Sequence, residues 1–298
     1  MSKKRLLITG VSGLLGSNLA YYFRDKYKVL GLFNTHPYHP SWVRTKPADL
    51  TRPEECERIV RSFRPDICIH CAAIADIDRC EIEQQAAYNV NVKATRFLVE
   101  GLAGRSCKLV FISTDAVYDG EIEGFTEDSP VRPLNYYGQT KREAEQEVAR
   151  RADALIVRTS FFGWSHGQGN LSIAEWAVNE LSAGRRIKGF KDIRTSSLYV
   201  FDLAELLERS LSNGLAGVYN FVSSDSISKC ELLKMIARLF GLNEALIDPV
   251  TADEIQFRAK RSKELSLSSV KLSKALSVQL PTLAQGLKSF YRDYRLRA

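Results

Sequence analysis

The chain has 298 residues, 45% of them hydrophobic and 26% charged, with a formal net charge of +7, enough apolar material for one large α/β domain with a modest extra lobe. No apolar run approaches the ~18 residues that a membrane helix needs, and the apolar stretch near the N-terminus is too short for a secretory signal and stops at a glycine turn, so a cytoplasmic protein is expected. The cysteines are Cys56, Cys68, Cys71, Cys80, Cys107 and Cys230; Cys68 and Cys71 have C-x-x-C spacing, but positions three apart on a strand face opposite sides and no second pair completes a zinc site, which predicts free thiols in a reducing compartment and no metal.

Strands and helices alternate from the start. A short apolar strand at 5–9 leads through Gly10-Val11-Ser12-Gly13-Leu14-Leu15-Gly16 into a helix at 14–24. A strand at 28–33, a helix at 53–63 that opens on Pro53, and a strand at 67–70 follow. Next come a helix at 83–102 with the stripe Ala87, Val90, Ala94, Phe97 and Leu98, a strand at 108–113, a helix at 135–150 and a strand at 154–158. This alternation predicts an α/β fold: a Rossmann-type, doubly wound parallel sheet with helices on both faces.

After Arg158 the rhythm loosens. The sequence predicts a loop at 161–170, a helix at 171–183, and strands at 194–200 and 218–222 around a helix at 202–212. A helix at 228–240 starts with Ser228 and an acid, Glu231, three residues on, and a last helix falls near 283–294. Residues 1–160 are therefore expected to form a dinucleotide-binding domain, with 195–222 returning to its sheet. Residues 161–194 and 223–298 form a small C-terminal substrate-binding lobe. Residues 258–298 hold ten Lys or Arg and two acids. With no aromatic platform or recognition helix, this reads as a solvated basic face and not as a nucleic-acid surface.

The glycine turn follows a strand and opens a helix, the context in which such a motif cradles phosphates. Gly10 permits the turn, Gly13 lets backbone amides approach a pyrophosphate, and Gly16 lets helix pack on strand. The amides around Ser12, Leu14 and Leu15 face the phosphates with the helix N-terminus. Where NAD-selective sites carry an acid after the second strand, this chain reads Asn34-Thr35-His36, with Arg44 and Lys46 in the next loop. That set tolerates a 2′-phosphate and predicts NADP(H) over NAD(H), with NAD(H) admitted. Asp49, before Leu50, either accepts from an adenine amino group or caps the helix at Pro53.

Tyr137 and Lys141 are four apart, on one helix face. A phenol titrates near ~10, and an adjacent ammonium is expected to lower it, so that Tyr137 serves as general acid in reduction or base in oxidation. Thr114 sits just past the fourth strand, where open parallel sheets bind ligands, and its hydroxyl can polarise a carbonyl. Tyr136, five residues from Lys141, points elsewhere. Arg194 and Arg261 suit the two oxygens of a diphosphate, or are plain surface arginines. Phe162 and Trp164 can stack on base or sugar, or simply pack the loop.

These residues resemble the extended short-chain dehydrogenase/reductase family. The pattern runs from the glycine turn through Asp49-Leu50, Arg64-Pro65-Asp66, His70-Cys71-Ala72-Ala73, Asn91-Val92 and Ser113-Thr114-Asp115 to Tyr137 and Lys141. Ser113 to Gly120, Arg158-Thr159-Ser160 and Asp202-Leu203-Ala204 bring it nearest to the dTDP-4-dehydrorhamnose reductases. The resemblance implies NADPH-dependent reduction of the 4-keto group of a nucleotide-linked deoxysugar, with Thr114, Tyr137 and Lys141 as the triad. It also implies that Cys71, Ala72, Ala73, Ser113 and Ser160 join the cofactor site, and that Asp76 and Asp115 meet the substrate. Homodimers are common in the family. Ala116 stands where the subgroup has an aromatic, Thr195 and Ser197 where it has glycine and proline, and Phe161 where it has tryptophan; all are expected where the substrate sits. Ala116 also weighs against a 4,6-dehydratase, and Asp115 against an epimerase. A non-catalytic NADP-binding subunit like the methionine adenosyltransferase β-subunit, and a reductase of small carbonyl compounds, are the competing readings.

Overall fold

The computed structural model describes residues 3–167 and 171–297, without the side chain of Arg297; the end of the expected loop, 168–170, lies outside the described residues. The first half of the chain is β1 (Arg5–Thr9), α1 (Leu14–Phe23), β2 (Lys28–Phe33), β3 (Arg44–Pro47), α2 (Pro53–Phe63), β4 (Ile67–His70), α3 (Ile77–Ile82), α4 (Gln84–Tyr88), a π-helical turn at Asn89–Lys93, α5 (Ala94–Gly101), β5 (Lys108–Thr114), α6 (Tyr136–Val148) and β6 (Leu155–Thr159). The second half is β7 (Phe161–Phe162), α7 (Ile173–Ser182), β8 (Ile187–Phe190), β9 (Arg194–Thr195), β10 (Leu198–Tyr199), α8 (Val200–Ser212), β11 (Gly217–Phe221), β12 (Ile227–Ser228), α9 (Lys229–Phe240), β13 (Ile247–Val250), β14 (Glu264–Leu265), α10 (Val270–Leu276) and α11 (Leu283–Arg297).

Seven parallel strands form the central sheet in the order β11-β6-β5-β4-β1-β2-β3. Its inner strands are apolar without alternation because helices bury both faces. On β1, Leu6 and Ile8 enter one core layer and Leu7 the other. The same alternation separates the C-x-x-C sulfurs: Cys68 lies in the layer of Leu7, while Cys71 packs against the layer of Ile8. All six cysteines are free thiols.

Several expectations need correction. The helix at 83–102 is present as α4 and α5, joined through the π turn; Glu83, at φ −104° and ψ 52°, marks its start and separates it from α3, an additional helix. Arg44 and Lys46 lie not in a loop but on the edge strand β3, paired with β2. Within 161–170, Phe161 and Phe162 form a strand with β10. The strand at 194–200 is two short strands, interrupted where Ser196 and Ser197 turn their hydroxyls into buried bonds; the Ser196 Oγ accepts from Leu267 N at 3.1 Å. Of 195–222, only β11 returns as a strand to the central sheet; β9 and β10 pair with β14, β12 and β7 beside it.

Candidate active site

The glycine turn stands at the carboxyl end of β1. Gly10 has φ +67°, the left-handed region that a side chain disfavours, and a Cβ there would lie 2.8 Å from the Ala72 backbone. A Cβ on Gly16 would lie 2.3 Å from Gly10 O, so helix α1 rests directly on the turn. Gly13 precedes α1 with no side-chain cap, and the first helical turn holds no acid. Among the described residues the first amides of this helix therefore have no side-chain cap, and its N-terminus carries a partial positive charge, which fits the pyrophosphate of a dinucleotide. Asn34, Thr35 and His36 are exposed at the end of β2 with no acid among them. Asp49 accepts from Thr51 N at 3.0 Å and from the Thr51 hydroxyl at 2.6 Å, a turn ahead of α2 and not the expected helix cap, since the N-cap is Arg52 with no side-chain bond; Leu50 is buried in the core.

The strip Cys71-Ala72-Ala73 is held from both sides. The Thr9 hydroxyl accepts from Ala72 N at 3.1 Å and lies 2.6 Å from His70 Nδ1, and His70 Nε2 is 3.0 Å from the Thr95 hydroxyl. Burial lowers the His70 pKa to about 3, so the ring is neutral. Asn91, in the π turn, accepts from Ile74 N at 2.8 Å and donates to Ile74 O and to the Thr140 hydroxyl, both at 3.0 Å. A widened helical turn at such a position is a recurrent mark of functional sites. The sequence reading quoted Asn91 without giving it this role.

Thr114 ends β5; its hydroxyl accepts from Ala116 N at 3.1 Å and donates to Asp115 Oδ1 at 3.0 Å. Asn135 caps α6, its Oδ1 accepting from Gly138 N at 2.9 Å. Gly138 is required there, because a Cβ would lie 2.2 Å from Ala116 O. The resulting close approach of α6 to the turn at 115–117 places Tyr137, in the first turn of α6, on the side of Thr114. Tyr136 instead donates its backbone N–H to Glu81 at 3.0 Å, beside α3.

The electrostatics differ from expectation in one respect. Burial and the Asp115 carboxylate push the Tyr137 pKa up, against the Thr114 hydrogen bond, and the protein alone does not lower it. Lys141 is spent elsewhere: its ammonium donates to Ile112 O at 2.6 Å and lies 4.0 Å from the Phe111 ring centroid. Burial lowers the Lys141 pKa to about 8, with Glu145 acting in the opposite direction. Glu145 lies one turn beyond Lys141 and was missed. It accepts from Ser113 Oγ at 2.6 Å and from Arg158 at 2.9 and 2.7 Å in a bidentate pair, while Arg158 Nη1 donates to the Tyr118 hydroxyl at 2.6 Å. The i, i+4 spacing from Lys141 was the available signal. Ser113 thus has its hydroxyl engaged, and Ser160 likewise lies 2.8 Å from Ser197 Oγ.

A cavity of about 370 Å³ opens beside Ala116 and Asn135, with Asp76 on one side and Phe190, Lys229, Phe257 and Arg261 among the other lining residues. Asp76 also caps α3, accepting from Arg79 N at 2.9 Å. Arg261 pairs with Asp78 at 2.8 Å and lies 4.9 Å over the Phe257 ring. Three expected substrate contacts are corrected. Phe162 is fully buried against Tyr199 and Phe290, and Trp164 stacks 4.2 Å from Phe290 and 5.4 Å from Tyr294, so neither ring is free to stack on a ligand. Arg194 donates to Ser226 and pairs with Glu264, and it is not among the residues that line the cavity. The aromatic rings that do face the cavity are Phe190 and Phe257, 5.7 Å apart. Of the four departures from the subgroup's residues, Ala116 lines the cavity; Thr195 and Ser197 are buried in a hydroxyl pair 2.7 Å apart, and Phe161 is held in β7.

The family described as "RmlD substrate binding domain" matches residues 4–296. The dTDP-4-dehydrorhamnose reductase of Mycobacterium tuberculosis is 31% identical over 276 residues, 89% of this chain and 85% of that one. A probable low-salt glycan biosynthesis reductase of Haloferax volcanii is 27% identical over 297 residues, covering 96% and 98%. The structure of a dTDP-4-dehydrorhamnose reductase from Bacillus anthracis in complex with NADP superposes with a TM-score of 0.84 at 27% identity, over 98% of this chain and 100% of that one.

Proposed function

The chain belongs to the RmlD substrate binding domain family, and we propose that it reduces the 4-keto group of a nucleotide-linked deoxysugar with NADPH. The observation that carries this reading is the placement of Thr114 at the end of β5 and of Tyr137 in the first turn of α6, where Gly138 packs on Ala116 O and Ala116 and Asn135 line the cavity. Gly10, Gly13, Gly16 and the start of α1 hold the pyrophosphate, Asn34 to His36 take the 2′-phosphate, and the Ala72 strip and Lys141 receive the nicotinamide ribose. The bound cofactor supplies a hydride. Thr114 orients the carbonyl oxygen through its hydroxyl. Tyr137, held protonated by burial, has the proton that the oxygen needs as it becomes an alcohol. We read residues 1–160 as the cofactor domain and the cavity as the cleft beneath the C-terminal lobe. The free thiols fit the cytoplasm, and among the described residues no helix is long and apolar enough to cross a membrane.

The test mixes the protein with NADPH and dTDP-4-keto-6-deoxy sugars and follows cofactor oxidation. Turnover is expected, with NADH a poorer donor. Asn34→Asp places a carboxylate where the 2′-phosphate binds and should shift the NADPH/NADH ratio of kcat/KM toward NADH by about tenfold or more. An unchanged ratio refutes the assignment of that loop, and absence of turnover with tight NADPH binding refutes the substrate.

A further inference from the structure

Lys229 is a charge in the cavity wall that the reading above does not use. It is the first residue of α9 and lines the cavity together with Arg261. Its backbone N–H is satisfied by Ile193 O at 2.8 Å, but its ammonium has no hydrogen bond or ion pair among the described residues. Burial opposes its charge, Arg261 repels it, and Asp115 attracts it. Asp115 is itself buried and already accepts from Thr114.

The surroundings add positive potential. Lys229 stands at the N-terminus of a twelve-residue helix, the end where the macrodipole favours an anion and disfavours a lysine. The acid of the first turn, Glu231, is paired with Arg238 at 3.1 Å. Arg261 has Nη2 on Asp78, while its Nη1 is buried without a partner. Two cationic groups thus share one cavity wall, each with donors left over, and a buried donor without a partner costs free energy until a ligand supplies one.

We infer that Lys229 and Arg261 form the seat for the substrate's diphosphate, with Lys229 on the phosphate nearest the sugar and Arg194 taking no part. Lys229 takes the inner position because the carboxylate that attracts it, Asp115, follows Thr114 in the chain; Arg261, anchored to Asp78 of α3, takes the outer one. The inference rests on the nucleotide-sugar reading and makes Lys229 a specificity-determining residue, the group that demands a charged leader on the sugar.

The test is calorimetric titration of dTDP, UDP, thymidine and uridine into the NADPH-loaded protein. At least one diphosphate should bind, and Lys229→Met should weaken it by about tenfold or more, while Lys229→Arg stays within about threefold and the nucleosides are unaffected. NADPH binding, read by its fluorescence, should match in all variants and certifies the fold. Lys229→Gln, which keeps a donor without the charge, is the second variant and should also weaken the diphosphate. Equal diphosphate affinity in wild type, Lys229→Met and Lys229→Gln overturns the inference and leaves the nucleotide-sugar reading intact. No diphosphate binding to the wild type overturns both.

Discussion

The two walls of the site are built by opposite means. On the sheet wall almost every polar group is spent: Lys141 on Ile112 O, Ser113 and Arg158 on Glu145, Thr114 on Ala116 N and Asp115. On the lobe wall, among the described residues, Lys229 has no bonded partner and Arg261 Nη1 is unpaired, and the Arg261–Asp78 pair is partly exposed. A buried wall with its bonds satisfied holds reacting groups in fixed places, which preorganises them for chemistry. A wall with spare donors waits for its ligand. The difference teaches that, under the proposed function, reaction and recognition fall on different faces of one cleft, so that each face can be perturbed alone.

The largest expected effect is on the reacting wall. Tyr137→Phe should lower kcat by about a thousandfold with NADPH binding retained, whereas Tyr136→Phe should be mild; the reverse order would move the proton donor to the other tyrosine. Next, Arg158→Met leaves Glu145 buried and unpaired, which should cost about 3–5 kcal/mol in denaturant unfolding. A loss below about 1 kcal/mol would show that the wall is not held by this pair.

Lys141 separates stability from activity. Its pKa is lowered to about 8 in the fold against about 10.4 unfolded, so the native state binds the proton less readily than the unfolded chain. The charge therefore destabilises the fold fully below about pH 8, by about 3 kcal/mol at most, and the cost fades as pH rises toward the unfolded pKa. Lys141→Met should be inactive yet melt higher than wild type at pH 7, an advantage shrinking by pH 10. A lower melting temperature at pH 7 would mean that the Ile112 bond outweighs burial. The smallest effect belongs to the lobe wall. Asp78→Asn should change stability by about 1 kcal/mol or less while tightening nucleoside diphosphate binding, because Arg261 no longer leaves one anion for another; weaker binding would show that Asp78 chiefly holds the loop at Ala259, whose N–H it accepts at 3.0 Å.

Legibility followed the range of the interactions. Apolar runs such as Leu6-Leu7-Ile8, the turn at Gly10, and the four-residue step from Tyr137 to Lys141 depend on neighbours within a helical turn or a strand, so periodicity and spacing exposed them. The π turn at Asn89–Lys93, the edge strand of Arg44 and Lys46, and the split of 194–200 depend on distant partners: Ile74 for Asn91, β2 for β3, and Ser160 and Leu267 for the serines. No local pattern announces such bonds.

By itself, the sequence determined the doubly wound sheet, the glycine turn between β1 and α1, and the placing of Thr114 at a strand end and of Tyr137 and Lys141 on one helix, because repeating burial and short-range geometry are written residue by residue. Only the tertiary structure decided which aromatic rings and cations face the cleft. It withdrew Phe162, Trp164 and Arg194 into packing and pairing, and it presented Phe190, Phe257 and Lys229 instead. It also decided the state of the Tyr137 phenol, whose pKa is raised by burial that segments far apart in the chain create together.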